Sequence, residues 1–282
     1  MFRKIEQNRT ADAVVRQIEE LVLSGVLRSG ERLPGERELA RELDVSRPIL
    51  RDALAALEAA GLVVSRRGEG TFVADVTGSV FSEAVVGLFH HHPKATADYL
   101  EFRREIESLA AGLAALRATE ADRVMLTLVF ERMLAAHERD DFTEEAAVDV
   151  EFHDLVGECT HNIVLMHTLR SCYRLLAEGV FYNRSRIWDH PGARDRLIEQ
   201  HRRLYEAIMA RDPAEARIAA AEHIAYVADT TREIEQRGAW QEISALRLAR
   251  SGSPEATPAR RGSGRRKGTD GRRSAGRQGD RA

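Results

Sequence analysis

The pattern of apolar and polar positions between residues 31 and 75 predicts two short helices followed by a β-hairpin. The first helix is expected at residues 36–43, and the turn Asp44-Val45 after it is so short that the next helix must cross over the first. That second helix is expected to begin at Ser46, because a serine hydroxyl there can cap the first-turn amides. Gly61 is expected to end it.

The second helix combines an apolar stripe with two arginines. The stripe consists of Leu50, Ala53, Leu54 and Leu57. Arg47 and Arg51 are four residues apart on its flank, so both guanidinium groups project from the same side of the N-terminal half of the helix. In a major groove, arginines placed in this way can bind guanine bidentately or hold a phosphate.

Two short strands are predicted after this helix, at residues 62–65 and 71–74. The loop between them holds Arg66, Arg67, Gly68 and Gly70, and its glycines allow a tight tip. A single arginine is more often a solvated surface charge than a DNA contact. The helix cap, the helix arginines and the basic wing together indicate a winged helix-turn-helix that binds DNA.

From residue 97 to about residue 236, apolar positions recur with helical spacing and no segment is convincing as a strand. Helices are predicted at residues 97–117, 119–139, 143–160, 163–187, 193–211 and 212–236. Thr119-Glu120-Ala121-Asp122 resembles a capping box, and Asp212-Pro213 is a strong helix start. The predicted fold is therefore mainly α: a winged helix-turn-helix followed by an antiparallel bundle of six or seven helices.

At 282 residues, with 43% hydrophobic and 31% charged residues, the chain is long enough for two domains with separate cores. The expected boundaries are residues 1–76 for the winged domain, 77–94 for a linker, 95–240 for the helical domain and 250–282 for an Arg- and Gly-rich tail. The tail has almost no apolar residues and is predicted to be disordered. It is either a solubilising extension or a source of sequence-independent attraction to DNA.

The N-terminal sequence, the length of the apolar runs and the cysteine content bear on the cellular compartment of the protein. The N-terminus becomes polar at once, and no apolar run is long enough for a membrane span. A soluble, cytoplasmic protein with no membrane partner, associated with the nucleoid, is therefore expected. Cys159 and Cys172 are too few for a disulfide framework and are predicted to be buried in a reduced protein.

One carboxylate and three imidazoles stand out in the helical region. Asp149 and His153 are four residues apart and share a helix face. His201 and His223 each lie eleven residues from the turn at Asp212, so an antiparallel hairpin places them at the same depth. Such a set suits a borderline divalent ion. The alternative for any one histidine is a surface position or a hydrogen-bonded place in the core.

The segment IEELVLSGVLRSGERLPGERELARELDVSRPILRDALAALEAAGLVVSRRGEGTFV resembles the DNA-binding domain of the GntR family of bacterial transcription regulators, and the resemblance runs from about residue 11 to residue 75. The resemblance implies that the residues contacting DNA are Arg37, Ser46, Arg47, Arg51, Arg67 and Gly68. Pro48-Ile49 depart from the family pattern, because many relatives have a hydroxyl residue there.

Residues 95–236 are similar to the helical effector-binding (FCD) domain of the FadR-type branch of that family, on the segments YLEFRREIESLAAGLAALRAT, DVEFHDLVGECTHNIVLMHTL and QHRRLYEAIMARDPAEARIAAAEHI. This resemblance implies a divalent metal ion, zinc with nickel or manganese as alternatives, held by Asp149, His153, His201 and His223. It also implies that Arg103 faces the effector, the alternative being a helix-surface salt bridge. Within the branch, THNIVLMHTLRSCYRLL and VFYNRSRIWDHPGARD look most like lactate- and pyruvate-responsive regulators.

These observations predict a transcription regulator and not an enzyme. The expected protein is a homodimeric repressor that binds palindromic double-stranded operator DNA, controlled by a small carboxylate or 2-hydroxy acid beside the metal. Effector binding would act through the linker on the spacing of two recognition helices. Three alternatives stay open: a regulator for which the metal itself is the signal, a metal-dependent hydrolase fused to a DNA-binding module, and a basic-tailed architectural DNA protein.

Overall fold

The computed structural model describes residues 10–75, 92–177, 187–188 and 190–252. The chain divides into two compact units after Arg237, and the domains discussed below lie in the first. Most of the predicted linker and almost all of the predicted tail lie outside the described residues.

The N-terminal region contains three helices and a two-stranded sheet: α1 Ala11–Leu23, α2 Glu36–Glu42, α3 Arg47–Ala59, β1 Val63–Arg66 and β2 Gly70–Val73. The predicted cap is confirmed, since the Ser46 side chain accepts a hydrogen bond from the amide of Ile49. Gly61, just after α3, has a φ of +74°. A left-handed residue is a common way to end a helix, and glycine adopts it at little cost.

The wing is wider than the predicted hairpin. β1 and β2 pair antiparallel, with Val63 opposite Val73. The extended segment before α2 lies along the free edge of β2, because the amide of Leu33 donates to the carbonyl of Thr71 at 2.9 Å and the amide of Val73 donates to the carbonyl of Glu31 at 2.9 Å. Helix α1 was not among the predicted elements. Its Val14, Ile18 and Val22 enter the core formed by α2, α3 and the wing, so the domain needs it to bury that core.

The helical region consists of α4 Pro93–Arg117, α5 Glu120–Glu138, α6 Phe142–Glu158, α7 Ile163–Ala177, α8 Ala193–Met209 and α9 Pro213–Gly252. Four of the five links between consecutive helices have two to four residues, which favours antiparallel neighbours. The capping box at the start of α5 is confirmed, with the Thr119 and Asp122 side chains each bonded to the other's backbone amide. At α9, Asp212 accepts hydrogen bonds from the amides of Ala214 and Glu215 at 3.0 Å.

One predicted helix differs from the structure, and the end of another is not tested. Helix α9 continues to Gly252 instead of ending near residue 236, because residues 239–250 contain neither proline nor glycine and are rich in good helix formers. The helix predicted at residues 163–187 is described from Ile163 to Ala177, and residues 178–186 lie outside the described part.

Small residues on α4 let its neighbours approach closely. Ala111, Ala114 and Ala115 are buried against Phe130 of α5 and other large side chains of the bundle. Both cysteines are buried thiols, and burial raises the pKa of Cys159 to about 12 and that of Cys172 to about 11. Among the described residues, no helix is both long enough and apolar enough to cross a membrane.

Candidate DNA-binding face and metal centre

The structure leaves all six residues predicted to contact DNA exposed to solvent. Arg37 lies on α2, Ser46 caps α3, Arg47 and Arg51 lie in the first turns of α3, and Arg67 and Gly68 form the tip of the wing. This exposure is what a recognition helix requires, because its side chains must be accessible to the major groove.

A carboxylate on α2 holds the two arginines of α3. The Nε atom of Arg51 donates to Oε2 of Glu36 at 2.9 Å, and Nη2 of Arg47 donates to the same oxygen at 3.4 Å. The hydrogen bond from Arg51 lowers the pKa of Glu36 below its ordinary value, and Arg47 lowers it further. The arginine side chains are 56% and 59% exposed, so this pairing is weak and can be exchanged for a phosphate.

Three of the four predicted metal ligands, His153, His201 and His223, come together in the middle of the bundle, and Asp149 lies beside two of them. The Nε2 atoms of His153 and His201 are 3.2 Å apart. Oδ1 of Asp149 lies 3.1 Å from Nε2 of His201 and 3.9 Å from Nε2 of His153. His223 completes the group, its ring centroid 4.5 Å from that of His201. The equal depth expected of His201 and His223 is thus found.

Each histidine of the cluster has its Nδ1 atom beside an oxygen acceptor. Nδ1 of His153 lies 3.0 Å from Oε2 of Glu107, and Nδ1 of His201 lies 2.8 Å from the carbonyl oxygen of Leu197. Nδ1 of His223 lies 3.2 Å from the side-chain oxygen of Gln200. An acceptor at Nδ1 places the proton there and leaves the lone pair on Nε2, which is how protein ligands to metals are commonly oriented.

Burial makes this cluster suitable for a cation. His153, His201 and His223 are at most 4% exposed, and their ligand atoms all lie within 4.8 Å of one another. Burial lowers the pKa of His223 well below its ordinary value, and the neighbouring His201 and His153 lower it further, so this ring is neutral at neutral pH. Three imidazoles with one carboxylate match the nitrogen and oxygen ligands of zinc, nickel or manganese sites. The three histidines could therefore hold a metal ion.

Arg103 is buried next to this cluster, so the alternative of a helix-surface salt bridge is wrong. Its side chain is 2% exposed, and its Nε atom donates to Oε1 of Glu107 at 2.6 Å. The guanidinium carbon lies 5.3 Å from the centre of the Tyr173 ring. A small cavity of about 30 Å³, room for about two or three water molecules, is lined by Arg103, Asp149, His153, Ile187, Trp188, Leu197, His223 and Val227.

Sequence reasoning missed Glu107 and Gln200. Glu107 is one helical turn after Arg103, and that spacing already indicates a pair on one face. Its contact with His153 crosses from α4 to α6 and left no signal in the local pattern. Gln200 precedes His201 and contacts His223 across the α8 and α9 hairpin. Both residues contact the Nδ1 atom of a histidine, on the side of the ring away from Nε2.

Two family profiles and several known proteins match this sequence. Residues 10–73 match the profile of bacterial regulatory proteins of the gntR family, and residues 98–226 match that of the FCD domain. The Glc operon transcriptional activator of Escherichia coli (strain K12) is 33% identical over 238 residues, covering 83% of this chain and 94% of that protein.

Two further relatives cover most of the chain. An Escherichia coli (strain K12) protein, whose name assigns it to the L-lactate dehydrogenase operon as a regulatory protein, is 36% identical over 232 residues, covering 81% of this chain and 88% of its own length. The HTH-type transcriptional regulator LutR of Bacillus subtilis (strain 168) is 30% identical over 211 residues, covering 74% of this chain and 95% of that protein.

Proposed function

The chain belongs to the GntR family of bacterial transcription regulators, with a GntR domain followed by an FCD domain, and we propose that a small carboxylate controls its binding to operator DNA. Regulators of this family bind operator DNA and are not enzymes, so the hydrolase alternative is dropped. In the proposal, the effector is a lactate- or pyruvate-like acid that binds beside a divalent ion, zinc in the first instance. The protein acts as a homodimeric repressor on a palindromic operator.

One observation carries the effector proposal: Arg103, Asp149, His153 and His223 line the same small cavity. When bound there, the metal would supply a positive centre for a carboxylate or hydroxyl oxygen. The Arg103 guanidinium would neutralise the remaining charge of the acid, since its planar group fits a carboxylate. The limited volume favours an acid of few atoms. A relative named for the L-lactate dehydrogenase operon agrees with a 2-hydroxy acid.

Polar contacts offer a route from this cavity to the winged region. Helix α6 carries Asp149 and His153 and ends at Glu158, whose Oε1 accepts a hydrogen bond from Nη2 of Arg28 at 2.8 Å. Nε2 of His167 on α7 also lies 3.0 Å from the carbonyl oxygen of Leu23 at the end of α1. A displacement of α6 on effector binding would reach the winged region through these contacts. In a dimer it would alter the spacing of the two recognition helices.

Thermal stability and operator release test the proposal together. L-lactate and pyruvate are titrated into metal-loaded protein and into protein treated with a chelator. We expect stabilisation and operator release in the loaded sample only, because a ligand stabilises the state that binds it. Arg103→Lys should weaken both responses, since an ammonium lacks the planar fork, whereas Arg104→Lys on the exposed face of α4 is the matched control. No response in the loaded protein to any small carboxylate would contradict the proposal.

The donor set also supports a second function, in which the ion itself is the signal. Three buried imidazoles have their ligand atoms within 4.8 Å of one another, with the Asp149 carboxylate beside them, so metal binding alone could reorder the bundle. The same experiment separates the two functions. A change in operator affinity on adding Zn²⁺, with no further change on adding any acid, would favour the metal sensor.

A further inference from the structure

Glu107 is a buried carboxylate between the predicted effector residue and the predicted metal ligands. It is 4% exposed and lies on α4, one turn after Arg103. Its Oε1 accepts from Nε of Arg103 at 2.6 Å, and its Oε2 lies 3.0 Å from Nδ1 of His153. The hydroxyl of Tyr173 is hydrogen-bonded to the same carboxylate. Burying a charge costs free energy unless it is paired, so these partners are what make this position tolerable.

We propose that Glu107 is the positioning residue that fixes the orientation and the tautomer of His153 for the metal while holding Arg103 at the cavity. This inference rests on the proposed function, because it takes the histidine cluster as the metal site. An ionised carboxylate accepts hydrogen bonds and donates none. When the His153 ring is neutral, its single proton must therefore be on Nδ1, which leaves Nε2 as the lone-pair atom beside His201 and Asp149.

The substitution Glu107→Gln tests this with little change of shape. The Nε–H of Arg103 can only donate, so the amide oxygen of the glutamine must face Arg103 and the NH₂ group must face His153. Facing a donor, Nδ1 of His153 must become the acceptor, and the proton moves to Nε2. The Tyr173 hydroxyl can donate or accept and adapts to either arrangement. The atom needed by the metal is then blocked by a proton.

Two measurements on the full chain follow from this. The first is Zn²⁺ affinity, by competition with a chromophoric chelator, and we expect Glu107→Gln to weaken it roughly 10- to 100-fold, the usual effect of losing such a supporting carboxylate. The second is the ¹⁵N spectrum of histidine-labelled, metal-free protein at alkaline pH, with the His153 signals assigned by their absence from His153→Gln. The proton should be on Nδ1 in the unaltered protein and on Nε2 in Glu107→Gln.

A matched control exists in the same domain. Glu145 is also buried, with Nδ1 of His137 at 3.0 Å and Nε of Arg194 at 3.1 Å, and neither partner belongs to the metal cluster. Glu145→Gln removes the same charge from the same kind of environment. It should leave the Zn²⁺ affinity and the His153 tautomer unchanged.

Several results would overturn the proposed role of Glu107. An Nε2 proton on His153 in the unaltered, metal-free protein would by itself overturn the inference. Unchanged Zn²⁺ affinity in Glu107→Gln would also overturn it, as would a loss of affinity with the proton still on Nδ1 or an equal loss in Glu145→Gln. If the unaltered protein and a His153, His201, His223 triple alanine variant bind Zn²⁺ equally, the metal site in the proposed function fails, and that result is separate from the role of Glu107.

Discussion

The two domains use the same arrangement, one carboxylate holding two basic side chains, in opposite environments. In the winged region Glu36 pairs with Arg47 and Arg51, whose side chains are more than half exposed. In the bundle Glu107 pairs with Arg103 and His153, and all three side chains are at most 5% exposed. Both clusters join neighbouring helices, and they differ in how far their side chains are exposed to solvent.

Solvent exposure sets the strength of the ion pairs in each cluster. The exposed ion pair around Glu36 contributes little free energy, and its arginines can leave the carboxylate for a DNA phosphate or base. The buried cluster around Glu107 cannot exchange partners without leaving a charge unpaired, so its geometry is rigid. Burial raises the pKa of Glu107, but Arg103 and His153 outweigh that effect and hold the pKa well below its usual range. A mobile cluster suits a surface that must adapt to DNA, and a rigid one suits an ion.

The largest effect is expected from removing two cluster histidines together. A His201→Ala, His223→Ala double variant should lose its bound metal and its response to small carboxylates, yet still bind operator DNA, because the winged domain has its own core. Elemental analysis and an operator-release assay measure these properties. His161→Ala, an exposed histidine outside the cluster, is the control. Full metal content in the double variant would refute the assignment.

Removing the carboxylate from each cluster compares burial directly. Glu107→Ala leaves the Arg103 guanidinium buried without its carboxylate and should lower the free energy of unfolding of metal-free protein by about 3 to 5 kcal/mol. Glu36→Ala should cost less than about 1 kcal/mol, since its partners are solvated. Urea denaturation of both variants gives the two values. Equal losses would show that burial does not separate the clusters.

The winged cluster should instead matter for DNA. Arg47→Ala and Arg51→Ala should each weaken specific operator binding by about 1 to 3 kcal/mol while the fold is kept, the usual cost of losing an arginine contact to a base. Mobility-shift titration at one salt concentration measures this, with Arg139→Ala on the exposed end of α5 as the control. If both variants bind the operator as tightly as the unaltered protein, α3 is not the recognition helix.

A smaller effect is expected where the two regions meet. Glu158→Gln weakens the contacts of α6 with Arg28 and Arg170 and should change the effector dependence of operator affinity by about 0.5 to 2 kcal/mol, without loss of metal. Glu151 lies on α6 like Glu158, and Glu151→Gln, which weakens a solvent-accessible pair with Arg132 of α5, is the matched control. An unaltered effector response in Glu158→Gln would exclude this route.

The smallest effect concerns the tail. From Arg250 onward the chain holds ten Lys or Arg against three acids, a composition that predicts sequence-independent attraction to the phosphates of DNA. Truncation after Arg250 should lower DNA affinity modestly and reduce its dependence on salt, with the preferred operator unchanged. Binding titrations at several salt concentrations check this. A changed operator preference would show that the tail takes part in recognition.

The sequence alone determined most of the helices and strands of the winged domain. Its signals are local: Ser46 caps the helix that it precedes, Gly61 ends it, and Arg47 and Arg51 lie on one face because they are one turn apart. Helix α1 was not predicted, although its sequence carries the same kind of local signal: Thr10 caps it, and its buried residues Val14, Ile18 and Val22 are spaced four apart. Local sequence signals of the same kind predicted the capping box of α5 and the start of α9.

The histidine cluster shows which contacts such local signals do not predict. Equal spacing from the turn at Asp212 predicted that His201 and His223 would meet, because the two helices form a hairpin with a short link. Only the packed bundle places His153 of α6 against them and Glu107 of α4 behind it. Those contacts depend on the rotation and depth at which whole helices pack. Many distant apolar side chains set these jointly, and no short stretch of sequence encodes them.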